Sequence, residues 1–438
     1  MEIREFSYKK IVLPLILMFG FVGVSVASDS GDSKDGVIQK LMNKVDQLEQ
    51  KVENLTNKLN AYEQKPAATV SDEAVAKKVD EIMAQKEAKS SPMISMPKIS
   101  GFIDTIYNYN FHKPLSQTTK IGTPKTTTAG PNNVSSFATR AHDITFNAAQ
   151  VALTGSLKDA NYVIKIEAGS DANVIHPLTG AGTAGSFDLE EAYFTTPLFN
   201  SGVNLKLGKF VTLEGIEVIE SPSDPTISRG YLFGMAEPFT HVGFLLSRPL
   251  PIKGLELRAG LVNGWDVLTD NNTGKTVVTG LGINYGDLAT GGLSVYYGPE
   301  QTGNNSHNRT SVDLTVATKP LSQLTLNLQG NWGQEGGISK KVDQWDGYGV
   351  QPVWQFTDKF SLGGRIEHME NKLGSRFGTS GGKLTNFTIT PTYKLNGSIT
   401  TRIEYRHDMA NKSFFEGKDG VFDQKTLDQM LAEFIYSF

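Results

Sequence analysis

The chain has 438 residues and no cysteine, with 42 Lys+Arg against 46 Asp+Glu for a formal net charge of −4. Disulfides, thiolate metal sites, cysteine nucleophiles and a lipidated N-terminal cysteine are excluded, and the near-neutral balance removes the electrostatic case for nucleic acid. The 44 glycines stand at about a tenth of the chain, above the usual ~7 %, while only 39 % of residues are hydrophobic. That composition suits a sheet whose two faces meet different solvents better than a thick soluble core.

The N-terminus predicts export. Arg4, Lys9 and Lys10 precede an almost continuous apolar run over residues 11–27, and Val26-Ala27-Ser28 fits the small-residue cleavage pattern. Residues 1–28 therefore read as a secretory signal peptide rather than an uncleaved anchor, because a polar segment without a cationic stop follows at once.

A heptad seam comes next. Ile38, Leu41, Val45, Leu48, Val52, Leu55, Leu59 and Tyr62 are spaced alternately by 3 and 4 residues, placing β-branched residues and one leucine at a and mainly leucine at d. Lys44–Glu49 and Lys58–Glu63 fall at g and e′ of parallel chains. Residues 29–65 are thus expected to self-associate as a coiled coil, with a preference for two strands. Pro66 ends the helix, and 66–97, with a weaker helical pattern and Pro92 and Pro97, reads as a linker.

From Lys98 the period changes to 2. Sixteen alternating segments are predicted at 98–111, 141–155, 159–170, 186–196, 203–212, 239–248, 254–265, 276–285, 291–298, 308–318, 322–332, 345–356, 359–369, 384–395, 398–408 and 426–438. Leu324, Leu326, Leu328 and Trp332 alternate with Thr325, Asn327, Gln329 and Asn331. Links after the even-numbered segments are short and those after the odd-numbered ones longer. This is the asymmetry of outer-membrane barrels, with short periplasmic turns and long outer loops. An even strand count places both barrel ends, and hence the coiled coil, on the periplasmic side. The last segment carries Met430, Ala432, Phe434, Tyr436 and Phe438 on one face, with Phe434, Tyr436 and the terminal Phe438 as the expected barrel-assembly signal. The fold expected for 98–438 is an all-β, 16-stranded antiparallel transmembrane β-barrel.

The run Ile99-Ser100-Gly101-Phe102-Ile103-Asp104 with Tyr107, Tyr109, Asn110 and Phe111 resembles the first strand of the OmpL-like putative beta-barrel porins. So does the block Gly208-Lys209-Phe210, Glu217-Val218-Ile219-Glu220, Ser228-Arg229-Gly230-Tyr231-Leu232-Phe233-Gly234 and Pro238-Phe239-Thr240-His241-Val242-Gly243. The resemblance covers about 99–438 and implies an outer-membrane porin, a water-filled channel for passive diffusion of small hydrophilic solutes and ions. Porins of this size imply a trimer where the heptads lean to a dimer. The partners expected are outer-membrane lipid, further copies of the chain and small hydrophilic solutes. A competing reading makes the chain a structural tether reaching the cell wall through its coiled coil.

Sixteen strands leave an aqueous channel, so inward faces should be wet and charged. Lys165 and Glu167, Glu256 and Arg258, Arg365 and Glu367, and Arg402, Glu404 and Arg406 form same-face sets, because a charge facing lipid at mid-depth would cost ~2–4 kcal/mol. The third long link carries Glu214, Glu217, Glu220, Asp224 and Glu237 against one cation, Arg229. An acidic loop folded into the barrel opposite a basic wall is expected to set a transverse field across a constriction. Lys209 breaks the pattern, sharing lipid-face parity with Leu205 and Leu207; either a bulge turns it inward or it snorkels. No enzyme is expected. The seven histidines form no metal-spaced pair, Thr273-Gly274-Lys275-Thr276 lacks the first glycine of a phosphate loop, and Asp270-Asn271-Asn272-Thr273-Gly274 reads as an ordinary polar loop. Neither a cofactor nor a metal is called for.

Overall fold

The computed structural model describes residues 97–176, 186–199 and 201–438, together with Asn43, Gln47, Gln50, Glu53 and Asn54, which are helical. The signal peptide, the coiled-coil seam and the linker lie outside the described residues.

Sixteen strands close into one antiparallel barrel in which every strand pairs with its neighbours in sequence. They are β1 Lys98–Asn110, β2 Asp143–Leu157, β3 Ala160–Ala168, β4 Phe187–Leu198, β5 Val203–Val211, β6 Thr240–Pro249, β7 Leu255–Val262 and β8 Thr276–Asn284. The second half comprises β9 Thr290–Gln301, β10 Asn304–Leu321, β11 Leu324–Ile338, β12 Lys341–Gln355, β13 Phe360–Asn371, β14 Gly382–Lys394, β15 Ile399–Ala410 and β16 Thr426–Ser437. Each predicted segment corresponds to one strand. Closure is made by β1 on β16, in continuous register from Phe102↔Ser437 to Asn110↔Gln429. Beyond it, Gly101 and Phe438 exchange backbone hydrogen bonds of 3.0 Å in both directions.

Alternation sorts the side chains. Leu328, Trp332, Ile403, Tyr405, Met430, Phe434, Tyr436 and Phe438 are exposed on the outer wall, whereas Gln329, Asn331, Arg402, Glu404 and Arg406 are buried on the inner one. The outward aromatics include Tyr107, Phe146, Phe187, Tyr297, Trp332, Tyr348, Trp354, Tyr393, Tyr436 and Phe438, the interfacial anchors of a lipid-embedded barrel.

Two of the eight outer links are not long. Strands β9 and β10 run on to a turn at Thr302-Gly303, and β11 and β12 to one at Ser339-Lys340. Past the lipid both faces of a strand meet water, so the sequence there (Asn304-Asn305-Ser306-His307-Asn308-Arg309) loses its alternation although the ladder continues. The remaining outer links are L1 (111–142), L2 (169–186), L3 (212–239), L4 (263–275), L7 (372–381) and L8 (411–425). Among the described residues, loops and upper wall share an apolar core including Val134 of L1, Tyr231, Leu232 and Met235 of L3, Trp265 of L4, Phe377 of L7, Phe414 of L8 and Trp345 of β12.

The two faces of β11 predict opposite responses to one mutation. Leu328→Lys, on the lipid side, is expected to lower unfolding stability by ~2–4 kcal/mol, while its inward neighbour in Asn327→Lys leaves it nearly unchanged. Urea titration in lipid vesicles measures both; equal losses would contradict the assigned faces.

Candidate functional site

Loop L3 leaves β5 at Val211 and rejoins β6 at Thr240 yet reaches walls several strands away. Pro222 and Pro225 keep it from continuing either strand, and a 3₁₀ turn at Ser221–Ser223 and a π-helical turn at Leu232–Ala236 bend it back. Arg229 holds it folded. Its guanidinium donates to the carbonyls of Val218 (2.9 Å), Ile219 (2.8 Å) and Ile227 (2.9 Å), lies 2.7 Å from Asp224, and rests over the rings of Phe137 and Phe233.

The inner wall of β13–β16 then receives the loop. Glu404 accepts hydrogen bonds from the amides of Ile227 (2.6 Å) and Ser228 (3.1 Å), and Glu367 accepts one from Tyr231 (2.8 Å). Arg365 donates to Glu217 (2.7 Å), to the Ser228 carbonyl and to Thr226. Arg402 pairs with Glu433 and donates to the carbonyls of Asp224 and Ser221, and Arg406 donates to those of Arg229 (2.7 Å) and Val134 of L1 (2.9 Å). Wall charges thus meet loop backbone groups, each charge-assisted bond being roughly twice as strong as a neutral one. Close approach needs small residues. A Cβ on Gly363 would stand 2.3 Å from the Pro225 carbonyl, and one on Gly230 would stand 2.1 Å from Glu367.

The loop acids are distributed differently from an open acidic face. Glu214 is buried against Ser311, Glu217 contacts Arg365, Glu220 contacts Lys165 of β3, Asp224 contacts Arg229, and Glu237 accepts from Gln329. At Glu217, Glu220 and Asp224 acid and base therefore touch, where a field across open space between loop and wall was expected. The physical reason is that an unpaired charge taken out of water costs several kcal/mol. Burial is felt in the loop's proton affinities. Burial, reinforced by the charge of Asp313, pushes the carboxyls of Glu214 and Glu237 well above the usual range. Burial likewise raises Asp224 to about 7, against the opposing pull of Arg229.

Of the remaining sites read from sequence, Glu256 and Arg258 form a half-exposed 2.7 Å pair on β7, away from these loop contacts. Glu167 is buried and takes a long 3.4 Å hydrogen bond from Gln150. Lys209 does not snorkel: its ammonium lies 2.8 Å from Asp188 and 2.7 Å from the Leu189 carbonyl. The register between β3 and β4 shifts there, from Lys165↔Glu191 to Ile166↔Leu189, leaving Glu190 as a bulge beside Lys209's partners. Sequence alternation missed Glu190, Asp408, Glu433 and the docking of L1. Parity cannot show a bulge, and loop content does not say which wall a loop meets. Asp270 pairs with Lys275, so that turn is held by its own lysine.

Between L3 and the β3–β5 side a recess of about 160 Å³ remains, lined by residues including Lys165, Leu213, Glu217, Val218, Glu220 and Phe233. A closed sixteen-stranded barrel with an outward apolar belt, a charged interior and an outer loop folded against its inner wall defines an outer-membrane porin. The chain belongs to the family described as putative beta-barrel porin-2, OmpL-like, whose model matches residues 97–438. It is accordingly a channel for passive diffusion across the outer membrane. Solved structures share the fold at low identity. The outer-membrane channel DcaP of Acinetobacter baumannii has a TM-score of 0.51 at 11 % identity, covering 78 % of this chain and 97 % of that one. The anion-selective porin of Comamonas acidovorans gives 0.51 at 10 % identity (78 % and 99 %), and the loop-L8 deletion mutant of Vibrio cholerae OmpT gives 0.50 at 10 % (78 % and 99 %). No curated protein sequence matches the chain.

Two outcomes follow from the docked loop. Gly363→Ala should displace L3 and expose it to trypsin at Arg229 in proteoliposomes, whereas Gly364→Ala, whose added Cβ finds its nearest neighbour at 3.4 Å, should leave it protected. Equal protection in both would contradict the close approach. The raised Asp224 carboxyl binds its proton in the docked state at pH values where the unfolded chain, near 3.8, has released it. The sign is that L3 docking tightens as pH falls from about 7 toward 4. Protection of the Ile227, Ser228 and Tyr231 amides against hydrogen exchange in the detergent-solubilised folded barrel, corrected for the intrinsic rate at each pH, should rise over that window as pH falls; a drop would contradict it.

Proposed function

We propose that L3 sets the size and charge of the passage, so that the pore admits small hydrophilic solutes and ions and excludes larger ones. The observation carrying this is the set of hydrogen bonds from the Ile227, Ser228 and Tyr231 amides to Glu404 and Glu367 on the opposite wall. A loop so held is a fixed part of the lumen, and Glu214, Glu217, Glu220, Asp224 and Arg229 are its constriction residues. Lys165, Glu167, Glu256, Arg258, Arg365, Glu367, Arg402, Glu404 and Arg406 are the wall on which it rests or which solutes pass.

The N-terminal heptads, in this reading, lie in the periplasm and join copies of the chain. Support comes from the position of β1, whose start at Lys98 lies at the same barrel end as the terminal Phe438 and the short turns. Porin-like barrels favour three copies. The same placement puts the coiled coil where it can contact the cell wall.

Replacing 216–236 by a short Gly-Ser link tests the role of the loop. Single-channel conductance of the refolded barrel should rise, and larger neutral sugars should enter in liposome swelling. Unchanged conductance and size cut-off would assign L3 a purely structural part.

A further inference from the structure

The β3–β4 wall carries a charge cluster that the docking of L3 does not use up. The bulge at Glu190 turns two consecutive residues, Glu190 and Glu191, into the interior, both buried. Glu220 comes from L3 to meet them, and one carboxylate oxygen from each of the three lies within 4.8 Å of the others. Lys165 sits among them, 2.7 Å from Glu191, 3.7 Å from Glu190 and in contact with Glu220.

One ammonium does not balance this set. The side chain of Glu190 is fully buried, and its Oε1 has no hydrogen-bond donor; the amide of Gln150 reaches only Oε2, at 2.6 Å. The same amide is shared, at 3.4 Å, with Glu167, whose Oε1 is also without a donor. Three carboxyls thus gather around one lysine, with Glu167 joined to them through Gln150; the buried Oε1 of Glu190 has only the Lys165 ammonium at 3.7 Å and no hydrogen-bond donor. Lys165 and Glu220 are each 19 % exposed and line the recess beside L3, so the cluster is reachable from the lumen. Hard oxygen donors in excess of their one positive partner are ligands for small hard cations, and calcium takes several carboxylate oxygens in flexible geometry.

We propose that Glu190, Glu191 and Glu220 form a cation-binding step on the permeation path, with Lys165 as its tethered counter-ion. The pore then passes cations in preference to anions, and calcium competes with the lysine for the carboxylates. This inference rests on the porin reading and names the class of ion its lumen selects.

The test is the reversal potential of the full-length folded protein in planar bilayers under a KCl gradient at low ionic strength, followed by addition of CaCl2. Wild-type channels should show the cation-favouring sign. Lys165→Met should raise the K⁺/Cl⁻ permeability ratio about fivefold, the weight of one unit charge at 4 Å in water, and calcium should then reduce its conductance at lower concentration than in wild type. Glu220→Gln and Glu190→Gln should lower the ratio; Glu220→Gln alters a loop residue, so barrel folding, checked by heat-modifiable migration, does not hang on it. An anion-favouring wild type overturns the inference, as do open channels in which Lys165→Met and Glu220→Gln keep the wild-type ratio and calcium response. Folded protein without open steps would defeat the porin reading itself, which separates the two failures.

Discussion

Everything in this barrel depends on the seam where β1 meets β16. In the hydrocarbon layer no water is present to satisfy a free backbone amide or carbonyl, and each unsatisfied group costs several kcal/mol. An open sixteen-stranded sheet would present two such edges. The ladder from Phe102↔Ser437 to Asn110↔Gln429 removes both, and the reciprocal bonds between Gly101 and Phe438 extend it to the last residue of the chain. Closure by an antiparallel pair in turn compels the even strand count, the return of both barrel ends to one side, and the division of every strand into an outward and an inward face.

Closure also creates the electrostatic problem that shapes the lumen. Charges barred from the lipid face collect inside, where the wall alone pairs Arg402 with Glu433 and Arg406 with Asp408 but leaves further donors and acceptors of Arg365, Arg402, Arg406, Glu367 and Glu404 to be satisfied. Loop L3 supplies those partners mostly from its backbone. Carbonyls of Ser221, Asp224, Ser228 and Arg229 take the arginine donors, and amides of Ile227, Ser228 and Tyr231 meet the carboxylates. One arrangement therefore neutralises the wall and fixes the loop. The β3–β4 side is left with its carboxyl excess around Lys165, and the asymmetry between the two walls is what gives the passage its electrical character.

Much of this was legible in the sequence because the lipid face enforces period-2 alternation wherever a strand lies in the membrane. Each strand was found, and Leu328 against Gln329 or Ile403 against Glu404 could be assigned to opposite faces from parity alone. Legibility failed where that enforcement stops. The upper parts of β9–β12 leave the lipid, so Asn304–His307 and Gly333–Ile338 read as loops although they belong to β10 and β11. At Glu190 a single extra residue inverts the parity and hides one carboxylate, and Lys209, with the lipid-facing parity of Leu205 and Leu207, nonetheless sends its ammonium to Asp188. The acidity of L3 was visible, but Glu217 meets Arg365 148 residues away and the Ile227 amide meets Glu404 177 residues away, and no local pattern encodes such contacts.

The central claim is that this closed barrel conducts. Single-channel recording of the refolded, full-length protein in a planar bilayer addresses it most directly. The account predicts long-lived, uniform conductance steps from protein shown to be folded barrel. Electrical silence from the same preparation would contradict it.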